Sequence, residues 1–107
     1  MTHYPDLEVI CLVGSTKFVE IFRIEEKRLT MEGKVVLSIA VTKEEFGIVD
    51  DSPEKEILME IHRRKISMAD RIHVINVDGY IGLHTEDEIN WAKISLGKKI
   101  TYYEKPI

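Results

Sequence analysis

The sequence predicts an α/β fold in which a parallel sheet of four to five strands lies between two layers of helices. Short apolar runs rich in Val and Ile alternate with longer amphipathic segments, and no repeat or low-complexity segment interrupts this alternation. Strands that alternate with helices form βαβ units, and their right-handed crossovers produce a parallel sheet with helices on both faces. A chain of 107 residues has the length of one domain, so residues 1–107 are assigned to a single domain.

The first strand and the first helix follow each other directly. Residues 8–13 (EVICLV) form a β-branched apolar run, which is typical of a strand buried on both faces. Residues 17–32 have the pattern of an amphipathic helix. Its apolar face includes Phe22 and Leu29, and its charged face includes Glu25. We therefore expect Glu25 to be exposed to solvent.

The second strand and the second helix are separated by a segment without a clear pattern. The strand is predicted at residues 35–40, and residues 41–51 form either a loop or a short irregular helix, of the kind that often acts as a lid. Ser52 and Pro53 are a favourable N-cap and first helical residue, and the helix that they begin runs to Ala69. The apolar stripe expected to face the core consists of Ile57, Leu58, Ile61 and Met68.

Two strands and one helix complete the chain. Residues 71–77 (RIHVINV) form the third strand, residues 85–96 the third helix, and residues 99–104 the fourth strand. The predicted strand order is 2-1-3-4, in a three-layer Rossmann-like (flavodoxin-like) fold. In this order the chain reverses direction between strands one and three, and ligands bind outside the carboxyl ends of the strands at such a switch point.

Composition and charge exclude several classes of protein. The chain is 44% apolar and 32% charged, as expected for a soluble globular protein. Its net charge of -4 argues against binding to a nucleic acid polymer. No apolar segment approaches the roughly 18 residues that span a bilayer, so we expect a cytoplasmic protein without a membrane partner. Cys11 lies inside the first apolar run, and no spacing of His, Cys or Asp suggests a metal site, so no metal or cofactor is expected.

Two glycine-containing loops are predicted to meet at the switch point. In the first, Gly14 allows the backbone to approach a ligand closely, while the hydroxyls of Ser15 and Thr16 and the start of the following helix would fit an anion such as a phosphate. The alternative is that Ser15 or Thr16 only caps that helix. The second loop spans residues 78–84. Its candidate substrate-binding residues are Asp78, Gly79, Tyr80, Gly82 and His84.

Thr85 and Glu88 have two interpretations. Their spacing is that of a capping box, in which the Thr side chain accepts from the N–H three residues later and the Glu side chain reaches back to the Thr N–H. Alternatively, Thr85 contacts the ligand and Glu88 is a catalytic carboxylate that faces the same crevice. The spacing alone does not separate a cap from a catalyst.

Several motifs resemble the nucleoside 2-deoxyribosyltransferase-like superfamily. The segment MADRIHVINVDGYIG resembles its Ala-Asp strand and glycine loop, and residues 88–92 (EINWA) resemble the helix that begins with the family's Glu. The segment VICLVGSTKF resembles the matching first strand and loop, within a small branch that has GSTKF and GYIG signatures. The nucleotide phosphoribohydrolases are a more distant likeness, because their PGGxGTxxE loop has the same spacing as Thr85 and Glu88.

The resemblance implies an enzyme that cleaves the N-glycosidic bond of a nucleoside or nucleoside 5'-monophosphate, either an N-glycosidase or a 2-deoxyribosyltransferase. Glu88 would attack or stabilise the anomeric carbon of the sugar. The family's second acidic residue corresponds to His62, which could do acid-base work or could be a solvated or phosphate-contacting histidine. Asn90 and Trp91 replace the family's Gly-Tyr pair, which would alter the sugar pocket.

The same resemblance implies a homodimer or higher homo-oligomer, with part of the contact expected at Ile57, Met59 and Ile61. Two other functions stay open. The chain could be a nucleotide-binding or sensor protein without catalysis, because His62 stands where the family has an acidic residue. A purely structural oligomerisation domain is disfavoured, because two glycine loops at one switch point serve no evident packing need.

Overall fold

The structure, a computed structural model, describes residues 7–39, 47 and 52–105. Within these ranges four strands and three α-helices form a three-layer, Rossmann-like α/β fold, as predicted. The strands are β1 (Val9–Gly14), β2 (Val35–Leu37), β3 (Arg71–Ile75) and β4 (Lys99–Tyr102). The helices are α1 (Val19–Met31), α2 (Pro53–Met68) and α3 (Leu83–Asn90). Short 3₁₀ turns lie at Thr16–Phe18 and Val77–Gly79, and α3 continues into a π-helical turn at Trp91–Ser95.

The sheet is entirely parallel, with the order β2-β1-β3-β4, which confirms the predicted order 2-1-3-4. Strand β1 pairs with β2 on one side and with β3 on the other, so that Cys11 lies opposite both Leu37 and Ile72. The chain reverses direction across the sheet between β1 and β3. The carboxyl ends of these two strands therefore form the switch point.

Each face of the sheet carries its own hydrophobic core. Side chains alternate across a strand, so Ile10 and Leu12 of β1 pack towards α1, where Phe22 is completely buried. On the other face, Cys11 and Val13 contact residues of α2 and α3. That second core consists of Cys11, Val13, Ile66, Ala69, Ile72, Val74, Ile89 and Ala92. Helix α1 thus covers one face, and α2 and α3 cover the other.

The ends of several elements are fixed by polar contacts. The Ser52 hydroxyl accepts a hydrogen bond from the Lys55 N–H at 3.3 Å, which confirms the predicted N-cap of α2. Strand β4 ends at Tyr102 rather than at residue 104, because the Asn76 side chain bonds both the N–H and the C=O of Glu104, each at 2.8 Å. Strand β2 ends at Leu37, and most of the predicted loop at residues 41–51 lies outside the described residues.

The third helix begins at Leu83, two residues before the predicted start at Thr85. Gly82 is its N-cap residue in an extended conformation, and its carbonyl accepts from the Glu86 N–H at 2.9 Å. Thr85 therefore lies inside the first turn, and Glu88 lies near the middle of the helix. The capping-box interpretation was wrong, because Gly82 rather than Thr85 is the N-cap residue and no side chain in the described part of the chain makes a cap hydrogen bond at the start of this helix.

Helix α2 packs on the sheet through a different face from the one its apolar pattern predicts. Ile57 and Met68, expected in the core, are 59% and 61% exposed, and Ile61 is exposed as well. Ile66 is the buried residue among those described in α2, and His62 and Lys65 share its inward face. Polar residues are tolerated on this face because part of it borders a cavity rather than the sheet.

Glu25 is buried, with 3% of its surface exposed, and not exposed as predicted. Arg28 donates two hydrogen bonds to its carboxylate, at 2.6 and 3.0 Å, and the His73 ring lies 3.0 Å away. The same ring contacts the Thr101 hydroxyl at 2.8 Å. The hydrogen bond from Arg28, followed by that from His73, lowers the pKa of Glu25 against the opposing effect of burial. Arg28 of α1 and His73 of β3 thus satisfy a carboxylate that local periodicity assigns to solvent.

No helix in the described part of the chain is long and apolar enough to cross a membrane.

Gly14, the last residue of β1, has no room for a side chain. Its φ is +150°, and a Cβ atom there would lie 2.8 Å from the Ile75 carbonyl oxygen and 3.3 Å from the Phe22 ring. We expect Gly14→Ala to lower the free energy of unfolding by about 3 kcal/mol in urea titrations. Gly33→Ala is the matched control, because its Cβ would meet nothing within 4 Å, and it should cost about 1 kcal/mol. Equal losses for the two variants would contradict this account.

Candidate functional site

A cavity of about 670 Å³ opens at the carboxyl ends of β1 and β3 and extends between α2 and α3. Its size is within the range of small-molecule sites, about 300–1,000 Å³. This is the switch point at which the strand order predicts a ligand.

Most of the residues predicted to form the site line this cavity. They are Gly14, Ser15, Thr16, His62, Tyr80, Gly82, His84, Thr85 and Glu88. Asp78 and Gly79 are not among its lining residues. They belong to the 3₁₀ turn after β3, where Asp78 has a positive φ of 54° and the Glu104 carboxylate accepts from its N–H at 2.6 Å. These two residues therefore shape the loop that holds Tyr80 without bordering the cavity.

The first loop both caps a turn and borders the cavity. The Ser15 hydroxyl accepts from the Lys17 N–H at 3.3 Å, as an N-cap does, and both interpretations of this residue are therefore compatible. The Lys17 ammonium lies 3.5 Å from the centroid of the Tyr80 ring, and the rings of Phe18 and Tyr80 meet edge to face at 5.9 Å. These contacts join the two glycine-containing loops.

His62 and Glu88 meet inside the cavity. His62 Nε2 of α2 lies 3.3 Å from Glu88 Oε2 of α3, and the side chains are 17% and 24% exposed. Burial raises the pKa of Glu88 to about 7, against a smaller opposing effect of the Arg63 charge. Burial, helped by the Lys65 charge, lowers the pKa of His62 to about 4. Near neutral pH the histidine is therefore uncharged, and Glu88 is divided between its acidic and ionised forms.

The contact between these two residues is consequently not a stable ion pair at neutral pH. When Glu88 is protonated, it lies within reach of a neutral histidine ring that can accept its proton. A carboxyl group whose pKa lies near the working pH, beside a base that can accept its proton, is an arrangement common in catalytic sites. Structural ion-pair networks also perturb pKa values. The Glu25 network does so in the opposite direction, because it holds its carboxylate ionised.

Several lining residues were missing from the sequence-based prediction of the site. They include Lys55, Arg63, Lys65 and Asp87, and Trp91, which the resemblance placed near the sugar pocket, lines the cavity as well. Arg63 and Lys65 stood in a basic run that usually marks a solvated face. Arg63 is indeed exposed, but its guanidinium also lies 4.6 Å from the centroid of the Trp91 ring, and the half-buried Lys65 donates to the Ser38 carbonyl at 2.7 Å. The sequence does contain a pattern that could have placed some of these residues in the site. Residues 55, 58, 62 and 65 recur at helical spacing, so they share the face of α2 on which His62 lies.

The described residues contain no group of three His, Cys, Asp or Glu side chains placed to hold a metal ion. Cys11 is fully buried, and burial raises the pKa of its thiol to about 12. A thiol with such a pKa is not a thiolate nucleophile at neutral pH.

A scan against protein-family models matches no family, and a search of curated proteins finds no significant match. The chemistry of this site is therefore inferred from its geometry and from the motifs described above.

Proposed function

We propose that this protein cleaves the N-glycosidic bond of a nucleoside or nucleoside 5'-monophosphate, as a hydrolase or a 2-deoxyribosyltransferase. The observation that carries the proposal is the contact of 3.3 Å between His62 and Glu88 in a cavity of nucleotide size. The resemblance of the Glu88 helix and the two glycine loops to the nucleoside 2-deoxyribosyltransferase-like superfamily supports the same reaction. The capping role that offered another explanation for Glu88 is excluded by the start of α3.

In the proposed reaction His62 first takes the proton of Glu88, which becomes a carboxylate. A carboxylate oxygen then bonds to the anomeric carbon as the carbon–nitrogen bond breaks, and the bonding electron pair leaves with the base. Protonated His62 is strongly acidic in this environment and returns its proton to the departing base. Water or a second base then attacks the anomeric carbon and loses a proton to His62, the bond between the sugar and Glu88 breaks, and His62 passes that proton back to the released carboxylate.

The loop of Gly14, Ser15 and Thr16 would hold the phosphate or the sugar 5' end. It contributes hydroxyl groups and the N–H groups of a turn, and Lys17 adds a nearby positive charge. The Tyr80 ring and Gly82 would border the ribose. The partner molecule is thus a small nucleoside or nucleotide, and a homodimer remains a prediction from the resemblance.

One observation favours a second candidate, a nucleotide-binding or sensor protein that lacks catalysis. His62 stands where the resembling enzymes have an acidic residue, and its lowered pKa leaves no proton on the histidine at neutral pH unless Glu88 supplies one. If that transfer did not occur, the cavity would bind a nucleotide without cleaving it.

The two candidates are separated by a substrate panel. The protein would be incubated with ribo- and deoxyribonucleosides and their 5'-monophosphates, and free base would be quantified by chromatography beside thermal unfolding with each compound. Release of free base from at least one compound is the expected result. Thermal stabilisation by nucleotides without any base release would support the binding protein, and neither effect with any compound would contradict both candidates.

A further inference from the structure

We propose that Arg63, held in place by Trp91, selects nucleobases that present carbonyl acceptors, such as the 6-oxopurines, over bases that present an amino group there. This inference rests on the proposed function, because it assumes that a nucleotide occupies the cavity.

The position of the base follows from the order of residues along α3. Thr85, Glu88 and Trp91 all line the cavity and follow one another at intervals of three residues, roughly 4.5 Å of helix rise each. Thr85 lies in the first turn, at the end nearest the loop that would hold the phosphate. With the anomeric carbon at Glu88, the sugar phosphate extends towards Thr85. The base then extends the other way, towards Trp91.

Arg63 presents hydrogen-bond donors at that end. Its guanidinium carbon lies 4.6 Å from the centroid of the Trp91 ring, and stacking of this kind leaves the N–H edges of the guanidinium available. Within the described ranges no protein acceptor is hydrogen-bonded to these N–H groups. The smaller neighbouring cavity, about 230 Å³, is also lined by Arg63 and Trp91, so the pair stands between two open spaces.

The chemistry of the guanidinium determines which bases fit. Arginine has five N–H donors and no acceptor. Hypoxanthine and guanine present the acceptor pair O6 and N7, which a guanidinium can bind with two hydrogen bonds. Adenine has an amino group in place of O6, and this donor cannot form a hydrogen bond with the N–H donors of Arg63. The same contact would stabilise the negative charge that develops on an oxopurine as it leaves the sugar.

The test compares inosine 5'-monophosphate with adenosine 5'-monophosphate, whose bases differ at the 6 position and in the proton on N1. Binding would be measured by calorimetry in the Glu88→Gln background, which prevents turnover. We expect the inosine compound to bind at least about tenfold more tightly. Arg63→Met, which keeps an unbranched apolar stem, should bring the ratio of the two dissociation constants close to one, and Arg63→Gln serves as a second variant if the first unfolds.

Matched variants separate selection from general effects on structure. Arg64→Met, which removes the neighbouring charge outside the main cavity, should leave the ratio unchanged. Trp91→Phe should preserve it, because a phenyl ring can still support the guanidinium, and Trp91→Ala should reduce it. A positioning role for Trp91 predicts this rescue by the aromatic variant, and a purely structural role does not.

Equal binding of the two nucleotides, tighter binding of the adenosine compound, or a preference that persists in both Arg63 variants would overturn the inference. If free base is nevertheless released in the substrate panel, the proposed function stands and only this inference fails. A preference that depends on Arg63 without base release would support the inference and contradict catalysis. Absence of binding by either nucleotide would overturn the inference as well.

Discussion

Replacing Glu88 with Gln is expected to lower the rate of base release by about three orders of magnitude or more. The amide keeps the size of the side chain but has no negative charge with which to attack or stabilise the anomeric carbon. Stability should not fall in parallel. Burial raises the pKa of Glu88 to about 7, so the native state opposes ionisation above the ordinary pKa of 4.5, and the neutral amide avoids that penalty. The melting temperature of the variant at pH 8 should therefore equal or exceed that of the parent.

Glu86→Gln provides the matched control for this prediction. Glu86 lies on the same helix, is exposed, and does not line the cavity. Its replacement removes one carboxylate from α3 and should leave base release within about twofold of the parent, since surface substitutions away from a site have small effects. Comparable losses in the two variants would mean that the helix as a whole, rather than the Glu88 carboxylate, supports activity.

Replacing Glu25 with Ala should produce the largest loss of stability among the charged residues of α1. The change leaves His73, which is buried, without its carboxylate partner and removes two hydrogen bonds from Arg28. Because Arg28 is half exposed and also bonds Glu32, we expect a cost near the low end for a broken buried pair, about 3 kcal/mol. For a domain of this size that corresponds to a fall in melting temperature of roughly 12–20 °C.

The matched control is Glu26→Ala, on the next residue of the same helix. Glu26 is exposed and pairs with Arg23 at 3.2 Å, and exposed pairs contribute roughly 0–1 kcal/mol. Thermal unfolding followed by circular dichroism measures both variants. A loss for Glu25→Ala no greater than that for Glu26→Ala would show that the buried network adds nothing to stability.

The same network makes the parent protein sensitive to acid. Burial lowers the pKa of His73 below its ordinary value of 6.5, and Arg28 lowers that of Glu25 below 4.5. In both cases the unfolded chain binds a proton more readily than the native protein does. The contribution of these two groups to the stability of the native protein is complete above about pH 6.5. It should decline as the pH falls, first because His73 becomes protonated and then, below about pH 4.5, because Glu25 does. Urea unfolding at pH 7.5, 5.5 and 4.0 measures this decline, and a midpoint that does not change with pH would contradict it.

The order of the strands could be predicted from the sequence because it depends on patterns that repeat along the chain. Apolar runs such as EVICLV alternate with amphipathic helices, and the crossover rule then leaves few topologies. The switch point, and with it the positions of Ser15, Tyr80 and Glu88 around one cavity, followed from that order. The placement of His62 beside Glu88 also agrees with the resemblance that assigned both residues to one site.

What could not be predicted depends on contacts between distant residues. Glu25 is buried because His73 of β3 reaches its carboxylate while Thr101 of β4 contacts the other nitrogen of the same ring, and no local pattern contains that information. Helix α3 begins at Leu83, and its N-cap residue, Gly82, has no side chain to signal a cap, whereas Thr85 and Glu88 have the spacing of a capping box that does not form. The prediction that the apolar stripe of α2 faces the core was wrong for a related reason. A helix that borders a cavity can direct polar residues inward.

The dependence of base release on pH tests the central role of Glu88 most directly. Free base released by the parent and by Glu88→Gln would be quantified between pH 5 and pH 9 under conditions in which both remain folded. The proposed reaction starts from protonated Glu88, whose proton passes to His62 and then to the departing base, and the pKa of Glu88 is about 7. Therefore kcat/KM of the parent should be nearly level between pH 5 and pH 6 and fall about tenfold between pH 6 and pH 8, and the variant should show no such fall. Release of base with the same profile in both proteins, or no release from any substrate at any pH, would contradict the assignment of Glu88 as the catalytic carboxylate.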